Sequence, residues 1–191
     1  MLEFVLIGGL IVAGGIGFAI HSKWSTYNRL MVLDERCTTA FADVDALLKH
    51  RHDLIPSLVE NLRSLVGQEN HVMASVLRAI NETARANSID NRLEAEANLG
   101  NTINNIFAQV QNLPQARTSQ HFVDLRNSFK DVENRITAAR RYYNNTVQEH
   151  NATVRQFPGN VVARKHNIGL RHQYTLGAER IFKDEAVSLT V

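Results

Sequence analysis

Seventeen consecutive residues, Phe4 to Ile20, carry neither a charge nor a strongly hydrogen-bonding side chain, and this run constrains the chain more than anything after it. At 1.5 Å per residue it makes roughly 26 Å of helix, enough to cross a bilayer core. A secretory signal starts with positive charge, is shorter, and ends at a small-residue cleavage site. This run starts at Glu3 and exits through Phe18-Ala19-Ile20-His21, with no A-x-A pattern. Residues 1–22 therefore read as a retained transmembrane anchor. Gly8, Gly9, Gly14, Gly15 and Gly17 argue against a core helix of a water-soluble domain. Each glycine costs about 1 kcal/mol against alanine there, whereas glycine is frequent in membrane helices. Gly9, Ala13 and Gly17 recur every four residues and leave one face almost without bulk. Small-residue faces are the main route by which membrane helices pack. The expected partners are thus the lipid bilayer and further copies of the same chain, as a homo-oligomer.

Orientation follows from the flanks. Lys23 and Arg29 follow the span and Glu3 precedes it. The positive-inside rule then predicts a single-pass protein of the cell inner membrane, N-terminus outside and body cytoplasmic. Cys37 is the sole cysteine, which excludes an intramolecular disulfide and suits a reducing compartment. A net charge of +2 argues against an electrostatic role towards nucleic acid.

The body after the anchor reads as all-α. Between Phe18 and Phe157 only Gly67, Gly100, Pro56 and Pro114 interrupt the helical pattern, and no run alternates as a strand does. Apolar residues at Leu30, Leu33, Cys37, Ala40, Val44, Leu47, Leu54, Leu58, Leu62 and Leu65 predict one long helix, kinked near Pro56 and ending around Gly67. A short helix over about Glu69–Ala86 would bury Val72, Val76, Ile80 and Ala84. Another, capped by Ser88, would carry Leu93, Leu99, Ile103, Ile106 and Val110 up to Pro114. A last long helix, capped by Thr118 or Ser119, carries Phe122, Leu125, Phe129, Val132, Ile136, Ala139 and Tyr143. Its 3-4 alternation is the repeat of left-handed coiled-coil packing. Two long and two short helices predict an up-down four-helix bundle over residues 23–160, thinning to a two-helix stalk beside the membrane. Residues 161–191 form a C-terminal tail that mixes Arg164, Lys165, Arg171 and Arg180 with apolar side chains. The tail is expected to be an ordered inter-subunit contact.

Four segments in this order resemble the LemA family of bacterial membrane-anchored proteins. They are Tyr27-Asn28, Arg51-His52-Asp53-Leu54-Ile55-Pro56-Ser57-Leu58-Val59, Glu133 through Asn144 (ENRITAARRYYN), and Phe157-Pro158-Gly159-Asn160. The likeness covers residues 23–163; the tail from Arg164 departs from it. The resemblance implies a single N-terminal span, a small external N-terminus and a helical-bundle body, and it supplies no reaction. Some relatives are linked to the formation of membrane compartments, which implies scaffolding.

Few residues invite a chemical reading. His50 and His52, two apart on a helix, point about 200° from each other and cannot share a metal ion. Arg51 lies on the apolar seam, so it needs a buried carboxylate. Placing Val66 level with Thr118 in antiparallel helices sets Arg51 opposite Glu133, and Tyr27 opposite Phe157. A structural ion pair is expected from the first. Arg140, Arg141, Tyr142 and Tyr143 sit on consecutive helical positions and form no single nucleic-acid face; pairing with Glu133, Asp43 or Asp45 is expected. No phosphate loop, catalytic carboxylate pair or Ser/His/Asp pattern appears, so no enzyme activity, cofactor or metal is expected. The reading is a membrane-anchored scaffold that self-associates and organises or shapes a bacterial membrane. The alternative is an adaptor recruiting one unidentified membrane protein or protease without forming an array.

Overall fold

The computed structural model describes residues 2–66, 71–86 and 89–174. It is all-helical at 88 % helix, with no strand among the described residues. Among the described residues seven helices follow in chain order: α1 (Leu2–Asp53), α2 (Ile55–Val66), α3 (His71–Arg85), α4 (Ile89–Val110), α5 (Pro114–Thr118), α6 (Gln120–Arg155) and α7 (Gly159–Lys165).

The long first helix of the sequence reading is divided by one residue, Leu54. Its N–H donates three residues back, to the Arg51 carbonyl at 3.2 Å, before Leu58 resumes the regular pattern at 3.1 Å. Pro56 has no N–H to give to the preceding turn, so the helical ladder must break there. The buried stripe shifts with it: Leu48 and Ile55 are buried, whereas Leu47 and Leu54 are only partly so. Gly67 and Ser88, expected to bound the next helices, lie outside the described residues, as does the last part of the tail from residue 175. Pro114 both stops α4 and opens α5, whose first turn tolerates it. Ser119 then caps α6, its Oγ accepting from the Phe122 N–H at 3.3 Å.

The chain separates into two compact units. The first holds residues up to Ala42 with Arg141–Gln173, and the second holds Asp43–Arg140 with Tyr174. In the second unit the core draws Leu58 and Leu62 from α2, Val76 and Ala79 from α3, Leu99, Ile103 and Phe107 from α4, and Phe122 and Phe129 from α6. Phe107 lies 5.5 Å from both α6 phenylalanines, centroid to centroid. Ala84, expected inside, is exposed; Ala79 takes the buried place on α3.

In the first unit Leu30 of α1 packs with Val162 and Ala163 of α7, flanked by Tyr27, Val154 and Ile168. Tyr27 stacks obliquely on His166 at 4.5 Å, while Phe157, its expected opposite, is 82 % exposed. α7 was not foreseen. A Cβ at Gly159 would come within 1.9 Å of the Thr153 carbonyl oxygen, so only glycine lets the chain fold back so tightly. Residues 168–173 then run without helix and are held against the same chain. Asn151 clasps Arg171 twice, donating from Nδ2 to its carbonyl at 2.8 Å and accepting from its N–H at 2.9 Å. The Tyr143 hydroxyl donates to the His172 carbonyl at 2.8 Å.

The described side chains of α1 from Ile7 to His21 are exposed, and Leu30 is the first buried one among those described. Deleting residues 1–22 is therefore expected to leave a soluble, strongly helical protein, read by circular dichroism and sedimentation. Insoluble or unfolded product would place the span inside the core.

Candidate functional site

The most constrained polar group of the second unit is Arg51, near the end of α1 and only 2 % exposed. A guanidinium without water must be neutralised and hydrogen-bonded by protein. Its Nη1 donates to Glu133 Oε1 on α6 at 2.7 Å, which joins the two residues that helical phase set opposite each other. Nη2 donates to Glu96 Oε2 at 2.5 Å and to the Glu96 carbonyl at 2.8 Å. Glu96, on α4, is 4 % exposed, whereas Glu133 is 24 % exposed. The other Glu96 oxygen lies 2.9 Å from His52 Nε2. One buried cation thus ties α1, α4 and α6 together, with Arg51 Nε left as its one unpartnered nitrogen.

Gly100 makes the arrangement possible. A Cβ there would lie 2.8 Å from Arg51 Nη1 and 3.2 Å from Glu133 Oε1. Glu96 and Gly100 are four apart, so one face of α4 supplies the carboxylate and the space beside it. Glu96 was missed in the sequence; a glycine in mid-helix was the signal of a close approach. Burial pushes the Glu96 carboxyl up, but hydrogen bonding and charge from His52 and Arg51 outweigh it, and the group is held below its usual value of 4.5. A carboxylate so saturated with donors makes a poor general base. A cleft of about 610 Å³ opens beside the cluster and is lined in part by Asn98, Asn101, Asn104 and Asn134. Arg140 also lines it and lies 4.1 Å over the Tyr174 ring, a cation–π stack. Tyr142 is exposed and Tyr143 buried, so this tetrapeptide is divided around its helix.

A second cluster lies in the first unit. Asp34 of α1 accepts from Arg171 Nε at 2.7 Å, and the fully buried His150 of α6 has Nε2 3.5 Å from the same oxygen. The Arg171 hydrogen bond holds the Asp34 carboxyl below its ordinary value against the opposing effect of burial. Cys37 is buried and free, its thiol pushed up by desolvation. The remaining sequence candidates, Gly9, Ala13 and Gly17, are exposed, and a Cβ at either glycine would meet nothing within 4 Å.

The three members of the Arg51 cluster are not equivalent, and substitution should rank them. Arg51→Met is expected to cost about 3–5 kcal/mol, because it strands the buried Glu96 charge. Glu96→Met should follow, and Glu133→Met, where water reaches the partner, should be mildest. Replacing all three by Met should be milder than the sum, measured by denaturant unfolding. Additive losses would show that the groups do not act together. The native Glu96 pKa is lowered, so its contribution is present above about 4.5 and is lost as pH falls through the native value. Glu96→Gln should flatten that part of the pH–stability curve.

The profile of the LemA family matches residues 40–188. That range holds Arg51, Glu96, Gly100 and Glu133, and it begins beyond the apolar segment of α1. A search among curated proteins finds no match. With the match covering more than half of its length, this chain belongs to the LemA family.

Proposed function

We propose that the chain is a membrane-anchored helical scaffold that self-associates and organises or shapes a bacterial inner membrane. The observation that carries this reading is the uncovered apolar start of α1. Leu10 and Phe18 are each 74 % exposed, Ile16 57 % and Ile20 64 %. A contiguous apolar surface of this kind calls for lipid or another protein. Among the described residues one helical stretch, Ile7–Leu65, is long and apolar enough to cross a membrane, and its apolar window is not buried. Membership of the LemA family agrees with this reading without adding a reaction. The body is proposed to be an up-down four-helix bundle whose interior is fixed by the Arg51 cluster rather than by a catalytic centre.

Self-association is assigned to the face of Gly9, Ala13 and Gly17. With no Cβ contacts of their own, the glycines let a second helix approach to backbone distance, where dispersion and lipid entropy favour pairing. Gly9→Ile with Gly17→Ile is expected to lower the oligomer's mass in mild detergent while leaving the body helical. A full-length chain that stays monomeric over a wide concentration range would end the scaffold reading and favour an adaptor.

The orientation proposed is N-terminus outside and body cytoplasmic, from Glu3 before the span and Lys23 and Arg29 after it. Protease added to intact spheroplasts should leave the body whole and cut it only after lysis. Cleavage without lysis reverses the orientation.

A further inference from the structure

We propose that α1 and α7 form a binding site for the phosphate headgroup of an anionic phospholipid, at the point where α1 leaves the bilayer. The inference rests on the anchor reading but not on self-association. A cleft of about 500 Å³ lies between these helices, lined by Ile20, Lys23, Trp24 and Tyr27 of α1, and by Val161, Val162 and Lys165 of α7 with His166 at its end. Ile20 is the last residue of the apolar run and Lys23 the first cation after it. The sequence therefore fixes the depth of the cleft at the boundary between hydrocarbon and headgroups.

Its composition matches that boundary on both sides. Ile20, Trp24 and Val161 offer exposed apolar surface to an acyl chain or glycerol backbone; Trp24 is 71 % exposed and Val161 45 %. Tryptophan with one apolar and one polar edge prefers this depth. Lys23 and Lys165 come from different helices and converge on the same cleft, and no carboxylate lines it. Arg29, by contrast, is matched by Glu149 at 3.2 Å. Two lysines without a lining carboxylate, above an apolar floor, fit a monoanionic phosphate diester. Lysines this close to an anionic membrane surface are drawn to it by its negative potential.

α7 is suited to lie at this surface. Phe157, just before it, is 82 % exposed, as Val161 partly is, while Val162 and Ala163 face Leu30. The helix thus has one face for the protein core and one apolar face left over, with Arg164 and Lys165 in its last turn. Tyr27 stacked on His166 keeps α7 against α1, and Gly159 sets its sharp entry. The fold-back holds the second lysine in place next to the membrane exit.

Trp24 is the only tryptophan of the chain, which makes it a built-in donor for energy transfer. The full chain is reconstituted in phosphatidylcholine nanodiscs containing a small fraction of lipid dansylated on one acyl chain, either anionic phosphatidylserine or zwitterionic phosphatidylethanolamine. Transfer from Trp24 is expected to be several-fold stronger to the anionic probe, and unlabelled phosphatidylglycerol should compete it away. Lys23→Gln with Lys165→Gln, both at exposed positions, should reduce the preference to near unity with helicity unchanged. Inorganic phosphate at millimolar concentration should not displace the probe; displacement would identify a free-phosphate site and overturn the lipid assignment. Equal transfer to both probes, or a preference that survives the double substitution, also overturns it. A chain that fails to enter nanodiscs overturns the anchor reading and this one together, whereas insertion without lipid preference overturns this one alone.

Discussion

A guanidinium removed from water is the constraint around which the second unit is arranged. In hydrocarbon-like surroundings an unpaired charge of this size costs several kcal/mol even after relaxation. The chain meets that cost with two carboxylates and a backbone carbonyl, drawn from two further helices. Such a cluster adds little net stability compared with apolar packing of the same volume. Its effect is on specificity: a slide of α4 or α6 by one residue would turn Glu96 or Glu133 away and leave Arg51 uncompensated. Leucines at Leu58, Leu62 and Leu99 tolerate several registers; the arginine tolerates one. Gly100 belongs to the same constraint, because the guanidinium takes the volume a side chain would fill.

Much of this was legible because helical phase is a strong signal over long, uninterrupted segments. The alternation from Phe122 to Tyr143 fixed the inner face of α6, and Arg51 on the matching seam pointed to Glu133. The same alternation continued past Tyr143 leads to Thr146 and His150, both buried. Glu96 escaped because a two-helix register argument has no place for a third element, and α4 enters only through tertiary packing. The division at Leu54 was partly visible: Pro56 removes one donor, but the apolar phase on either side shifts by a single residue, too little to read as a new helix. α7 was hidden by Pro158-Gly159, which reads as a helix end. Here it is also a beginning, since Gly159 admits the backbone of Thr153 at contact distance.

On the proposed anchor reading α1 passes from lipid into water, and its residues change accordingly. From Ile7 to Ile20 the described side chains are apolar on every side and exposed, as a helix in lipid requires. From Leu30 onward buried residues come every three or four positions, with charged residues between them, as a helix in water requires. The change is made within about ten residues, and that short interval holds Lys23, Trp24 and Tyr27. Those side chains suit neither solvent fully, which is the reason interfacial residues collect there.

The segment after α7 shows how a stretch without secondary structure can be held firmly. An extended chain has backbone donors and acceptors that must be satisfied once it is packed against protein. Asn151 supplies both for Arg171 with one amide, as a neighbouring strand would, and Tyr143 supplies the donor for the next carbonyl. Contacts to backbone are blind to side-chain identity, so they position the segment without choosing its register. The choice falls to Arg171, whose Nε reaches Asp34 and whose Nη2 reaches the Thr38 hydroxyl at 3.1 Å. Asp34 has its native pKa lowered, principally by the Arg171 hydrogen bond. The attachment therefore holds at and above the ordinary aspartate value of 3.8 and weakens only as pH falls through the lowered native one. In the neutral range it is a fixed part of the fold, and it leaves α7 anchored at both ends, by Gly159 at its start and Arg171 after it.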